Sequence, residues 1–192
     1  PAAQGQQEIV EILDSSSRNL QKLIEQLLDY NRKQADGPVA REAVDLVDLV
    51  ENVVAAHSLP ARAKLMHTEL TLQARRCLAE PALLISVMDN LYSNAVHYGA
   101  ESGNIRIHSY RHGEQVRIDV ANSGEPIPAA EKNMIFEPFY QGSHQRKGAV
   151  KGSGLGLSIA RDCVRQMQGE LSLVDAPAGQ VCFRITLPSA PE

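Results

Sequence analysis

Near the N-terminus Ile9, Leu13, Ser16, Leu20, Leu23, Leu27 and Tyr30 step alternately by four and three, with Ile12, Ile24 and Leu28 widening the flank. Between Gln6 and Gln34 there is neither proline nor glycine, so the spacing predicts one long helix bearing a heptad seam. A stripe this wide asks for partner helices, from upstream chain, a second subunit, or both; a helix folded back on its own domain is the alternative. Asp36-Gly37-Pro38 cuts the pattern and reads as a hinge.

Beyond it the period changes. Arg41–Asp45 predicts a short strand, and Leu46, Leu49, Val50, Val53 and Val54 a helix up to Pro60. Thr68–Leu72 alternates like a strand, with Arg75–Ala79 expected to pair with it. Pro81 opens a helix patterned by Leu83, Leu84, Val87, Met88, Leu91 and Ala95 and closed near Tyr98-Gly99. Ile105–His108 and Val116–Val120 make a hairpin about His112-Gly113. Leu157, Ala160, Val164 and Met167 predict a further helix, with Gly169 as its C-terminal cap. Glu170–Val174 and Val181–Leu187 then flank a turn at Pro177-Ala178-Gly179, and Pro188–Glu192 is expected to fray. The expected fold is α+β, a two-layer sandwich with helices packed on one face of a mixed sheet.

Composition narrows the function classes. At 192 residues and net charge −4 the chain holds one medium domain with an appendage and presents no basic field for nucleic acid. Cys77, Cys163 and Cys182 lack paired or metal-like spacing and read as small core residues, which fits a reducing compartment. No apolar run reaches the ~18 residues of a membrane span, so the chain as given is expected to be soluble and free of membrane contact. Its abrupt start in helical sequence suggests a piece of something longer.

Chemistry concentrates in three places. Asn90, Asn94 and His97 fall at i, i+4 and i+7, one helix face opposite the leucines. Asparagine is a poor helix former, so the face is either solvated or a place where a carboxamide oxygen joins phosphate oxygens around Mg²⁺. On the second reading His97 supplies a donor or positive charge toward phosphate, and Tyr98 lines a base. Asn122-Ser123-Gly124-Glu125-Pro126-Ile127-Pro128 ends a strand in a rigid turn, either a surface turn or a place where Asn122 accepts from an exocyclic amine. Gly152, Ser153, Gly154, Leu155, Gly156 and Leu157 run into a helix, suiting an anion at its N-terminus or a tight loop with no ligand. The polar stretch before it, with Arg146, Lys147 and Lys151, has the length of a lid or is only a solvated charge cluster.

Taken in order, these pieces resemble a known set. Asn90–Tyr98 resembles the N box of histidine kinases, Asn122–Pro126 their G1 box, Phe136-Glu137-Pro138-Phe139 their F box, and Gly152–Leu157 their G2 box. Ile12–Leu20 and Phe139–Gly148 are similar, more specifically, to one type of enterobacterial sensor kinase. The resemblance implies a Bergerat ATP-binding fold over residues 41–192, a linker at 36–40, and in 1–35 the second helix of a dimerisation bundle whose first helix is missing. It implies Mg²⁺ on Asn90, and ATP at Asn90, Asn94, His97, Tyr98, Asn122, Gly124, Ile127, Phe136, Arg146, Lys151 and the Gly152–Leu157 turn.

Three departures stand out. Asn122 takes the place of an aspartate, Pro126 that of a glycine, and Gln141 that of an arginine, so phosphate contact shifts to Arg146 or Lys151. The phosphoacceptor run His-Glu-x-x-Thr-Pro is absent, so the expectation is ATP binding without autophosphorylation, with no catalytic residue in this chain. The implied setting is the cytoplasmic portion of a bacterial inner-membrane sensor, a homodimer that passes phosphate to a response-regulator aspartate. The alternatives are another Bergerat protein, such as an anti-sigma serine kinase, and a docking module that has lost its nucleotide.

Overall fold

The computed structural model describes residues 39–140, 142 and 154–191, together with 9, 10, 13, 17, 20–22, 24 and 25 near the N-terminus. Those nine are helical, and Ile9, Leu13, Leu20 and Ile24 are exposed apolar positions on them. The rest of the heptad seam and the expected hinge lie outside the described residues.

Among the described residues seven strands and four further helices follow. They are β1 (Glu42–Asp45), α1 (Leu46–Ala56), α2 (Ser58–Ala63), β2 (His67–Leu72), β3 (Arg76–Ala79), α3 (Pro81–Tyr98), β4 (Asn104–His112), β5 (Gln115–Ser123), α4 (Gly156–Gln166), β6 (Glu170–Val174) and β7 (Gln180–Pro188). A 3₁₀ turn at Met134–Phe136 lies between β5 and α4. The main sheet runs β2-β4-β5-β7-β6, parallel between β2 and β4 and antiparallel elsewhere.

Two pairing expectations are corrected. β3 does not join β2; it pairs antiparallel with β1 in a separate two-stranded sheet, while β2 takes β4 as its parallel neighbour. Alternation says which face a residue occupies and nothing about the partner strand. The tail is also held more firmly than expected. Ser189 bridges to Cys77 and donates to the Glu114 carbonyl, and Ala190 is buried and accepts from Arg111.

The sheet has one apolar face. Ile105, Ile107, Val116, Ile118, Val120, Phe183, Ile185 and Leu187 are buried on it, against helices that contribute Leu46, Val50, Leu84, Val87, Leu91, Ala160 and Val164. Each large apolar side chain so buried contributes about 1.5–3 kcal/mol. The other face stays polar, where Arg184 and Asp119 form a bidentate pair at 2.7 Å per bond across β5 and β7.

α3, the helix that carries the polar face, is fixed at both ends. Glu80 accepts from the Leu83 amide at 2.6 Å, Pro81 occupies the first turn, and Gly99 ends the helix. Its apolar stripe is almost wholly excluded from water, and Tyr92 within it bonds through its hydroxyl to Thr68 Oγ1 at 2.7 Å. Burying that stripe sets the rotation of the helix, and with it the direction of Asn90, Asn94 and His97.

α4 ends differently from expectation. Gln168, not Gly169, takes the left-handed position, at φ 62°. Its amide donates to the Arg165 carbonyl and that of Gly169 to the Val164 carbonyl, the two bonds of a Schellman motif. Gly169 is needed for a separate reason. A Cβ there would lie 2.3 Å from the Thr186 carbonyl oxygen, so only glycine lets the turn pass against β7.

Candidate functional site

The described parts of the three stretches singled out in the sequence border the C-terminal half of α3, the start of α4 at Asn90 and the strand turn at Tyr98. Asn90 is buried, at 6% exposure, although it carries an amide in the middle of a helix. Its Nδ2 donates to the Ser86 carbonyl one turn back, at 3.0 Å, which fixes the amide and leaves Oδ1 as the free end. A Cβ on Gly156 would come within 3.1 Å of that Oδ1, so the first residue of α4 sits directly beside it. Asn94 is half-buried one turn further on, and His97 and Tyr98 are exposed at the end of the helix. The polar face thus runs from buried to open along its length.

At that open end the strand turn arrives. Asn122, also 6% exposed, closes β5, and its Nδ2 donates to the Ser123 carbonyl at 3.1 Å. A Cβ on Gly124 would stand 3.2 Å from Asn122 Nδ2 and 3.3 Å from the Tyr98 carbonyl oxygen, so backbone, carboxamide and helix end are in close contact and a larger residue would make one of them give by a few tenths of an ångström. Ile127, a little further along the turn, is half-buried and packs on the core.

The start of α4 supplies the third wall. Its N-cap, Leu155, is buried and offers no side-chain cap to the first-turn amides, and Ser158 Oγ donates back to the Leu155 carbonyl at 2.9 Å. Among the described residues no side chain caps these amides, and the positive end of a helix dipole suits an anion. Gly154 has φ 71° and would place a Cβ 2.7 Å from the Phe139 carbonyl carbon. Phe139, itself at φ 64°, donates its amide to the Gly154 carbonyl at 2.9 Å. Phe139 and Gly154 are therefore joined backbone to backbone at one close junction. Phe136 faces inward, edge-on to Phe183 at 6.2 Å between ring centres and beneath the Arg161 guanidinium at 5.1 Å. Leu157 is half-buried against the core. Arg146, Lys151, Gly152 and Ser153 lie outside the described residues.

Electrostatics refine one role. His97 is exposed as a residue, yet partial desolvation of its ring, and after that the Lys64 ammonium, hold its pKa below the ordinary 6.5. Near neutral pH it is therefore a neutral imidazole, edge-on to the Tyr98 ring at 4.6 Å between centres, and it would offer phosphate an N–H donor rather than a positive charge.

Sequence reasoning missed Lys64. Its Nζ donates to the carbonyls of Val96 at 2.7 Å, His97 at 2.9 Å and Gly99 at 2.7 Å. No local pattern signals this, because the contact joins the end of α2 to a helix terminus more than thirty residues away. All three cysteines, by contrast, are buried and outside any disulfide, as expected of small core residues, and burial pushes the Cys77 thiol to about 12 and the Cys182 thiol to about 11.

Known proteins share both the sequence and the fold. The chain is 72% identical over 190 residues to the sensor histidine kinase GlrK of Escherichia coli K12, and equally to the sensor histidine kinase QseE of Escherichia coli O157:H7. Each match covers 99% of this chain and 40% of the relative, so the chain spans well under half the length of these curated proteins. Among solved structures, a nucleotide-free catalytic domain of histidine kinase ThkA superposes with TM-score 0.68 at 28% identity, covering 79% of this chain and 97% of that one. ThkA in complex with the response regulator protein TrrA gives TM-score 0.72 at 26% identity, over 94% of this chain and 50% of that one. The family described as histidine kinase-, DNA gyrase B-, and HSP90-like ATPase matches residues 79–191, from the end of β3 through the tail, and so takes in the whole candidate site. The chain belongs to that family of ATPases.

Proposed function

We propose that this chain is the ATP-binding, phosphoryl-donating part of a sensor histidine kinase, with Asn90, Asn94, His97, Tyr98, Asn122, Gly124 and the Gly154–Leu157 turn as its nucleotide site. The observation that carries the reading is the convergence on α3: the Asn90 carboxamide beside the first residue of α4, and the Asn122–Gly124 strand end against the Tyr98 carbonyl. In this reading the α4 amides and Asn94 bind phosphate oxygens, neutral His97 donates a further hydrogen bond, and Asn122 Oδ1 accepts from the base amine. Ile127 and Phe136 support the site from the core side. Arg146, Lys151, Gly152 and Ser153 complete the phosphate contacts on sequence grounds alone.

The donor set suits a magnesium ion that arrives with the nucleotide. Asn90 Oδ1 is a hard, neutral oxygen left free by the Ser86 bond, and a single such ligand relies on phosphate oxygens and water for the remaining positions. When bound, the ion would withdraw charge from the transferring phosphoryl group. Asn90 would hold it, and Gly156 leaves room for it, since any side chain at that position would crowd Oδ1.

The wider assignment follows the relatives. Residues 1–35 would be the second helix of a dimerisation bundle, 36–40 a linker and 41–192 the ATP-binding domain. The acceptors would be an imidazole outside this chain and then an aspartate of a response regulator, in a homodimeric sensor anchored in the bacterial inner membrane. With no His-Glu-x-x-Thr-Pro run present, the chain would bind ATP without labelling itself on histidine.

Calorimetric titration with Mg·ATP tests the site. The parent should bind saturably, and Asn94→Ala should lose binding with an unchanged far-ultraviolet circular dichroism spectrum. Equal affinity in the two proteins would remove the site from α3, and no binding by the parent would favour a docking module instead.

A further inference from the structure

We infer that Lys64 is a positioning residue for the nucleoside end of this site, holding the last turn of α3 so that Tyr98 and the Gly99 corner stand in fixed register against Gly124. The inference rests on the nucleotide reading above and deepens it.

The last carbonyls of a helix have no partner within the helix. At the end of α3 three of them, from Val96, His97 and Gly99, converge on one Nζ at 2.7–2.9 Å. They flank Tyr98 in the chain on both sides, so the ammonium ties down the peptide units through which Tyr98 is presented. The neighbouring backbone has no slack. A Cβ on Gly99 would strike both the Ala95 carbonyl oxygen and Met66 Cε at 2.4 Å, and one on Gly124 would press on the Tyr98 carbonyl oxygen at 3.3 Å. Lys64 is held in turn, its own carbonyl accepting from the Ser102 amide at 2.8 Å, just before Leu65 takes a left-handed φ of 52°. A three-point tie of this kind is worth more to ligand binding than to folding. The helix is already fixed by its buried stripe, whereas the exposed Tyr98 ring and the Asn122–Gly124 wall depend on the exact placement of this corner.

The chemistry calls for lysine specifically. An ammonium is a compact charge with three donors that can point at three carbonyls, whereas a guanidinium spreads its donors in a plane. Charge and geometry are therefore separable. Lys64→Arg keeps the first and loses the second, and Lys64→Met keeps the aliphatic stem and loses both.

The 192-residue chain with Mg·ATP as ligand provides the test. Titrations with and without Mg²⁺ are made on parent, Lys64→Arg, Lys64→Met and Asn94→Ala, alongside an NMR titration of the His97 imidazole and thermal unfolding. Expected is a roughly ten- to hundredfold loss of ATP affinity in both Lys64 variants, the size of a lost set of charged hydrogen bonds. The gain in affinity on adding Mg²⁺ should be the same as in the parent. His97 should titrate at a higher pH in Lys64→Met and stay near the parent value in Lys64→Arg. Parent-like affinity in both variants, with only the unfolding midpoint lowered, would overturn the inference and leave Lys64 a helix cap. Full rescue by Lys64→Arg would overturn the geometric part, since charge alone would then suffice. Binding that survives Asn94→Ala would instead sink the nucleotide site itself, a result the Lys64 variants cannot mimic.

Discussion

The smallest differences within the site come from single atoms on Asn122 and His97. Asn122 donates to the Ser123 carbonyl, and an aspartate would turn that contact into oxygen against oxygen at a position only 6% exposed. Asn122→Asp is therefore expected to cost about 1–3 kcal/mol in urea unfolding at pH 7, although it restores the side chain the family usually carries. His97 makes stability depend on pH in a definite direction. Its folded-state pKa lies below that of the unfolded chain, because desolvation and then Lys64 disfavour the imidazolium. The unfolded chain thus takes up the proton first, and stability that is complete above about 6.5 is lost as the pH falls through the lowered folded value. His97→Gln should flatten the decline in unfolding midpoint between pH 7.5 and pH 5 relative to the parent, and an unchanged slope would refute the assignment.

At the level of elements, α3 and α4 meet their ends by different means. α3 has a glutamate at its start and a lysine from a distant turn at its finish, while α4 starts on a leucine that has no capping side chain and closes on Gln168 in a conformation that suits glycine. A residue with a Cβ pays roughly 1 kcal/mol in the left-handed region. Gln168→Gly is accordingly expected to raise stability by about that amount with ATP binding unchanged, as measured by chemical unfolding and titration. Gly169→Ala should do the reverse, because its methyl would meet the Thr186 carbonyl. Here the sequence was only half legible. A helix end followed by glycine near position 169 could be read directly, but which of two adjacent residues turns left-handed depends on how near β7 passes. The same limit explains β3. Its alternation was visible, while its pairing with β1 arises from long-range packing around Cys77 and the tail.

For the molecule as a whole, period and punctuation gave the order of strands and helices and the polar face of α3. Burial of leucines and valines dictates both, and burial leaves a local trace. Lys64, the short helix α2 and the docked tail left none, being consequences of contacts between distant segments. Since the site draws on α3, the end of β5 and the start of α4 together, a ligand bound there stabilises the native state as one unit. At a hundredfold excess over its dissociation constant, Mg·ATP should add about 2.7 kcal/mol and raise the unfolding midpoint by roughly 5–10 °C. Asn94→Ala should abolish that rise, and a rise persisting in the variant would mean that nucleotide binds elsewhere.

The stitch between Phe139 and Gly154 has a corollary for chain length. Because these two residues are tied backbone to backbone, a change in the length of chain between them carries a closure cost of only about 0.6 kcal/mol for each doubling. Changes of length between those two residues are therefore expected to leave α3, the end of β5 and the start of α4 where they stand.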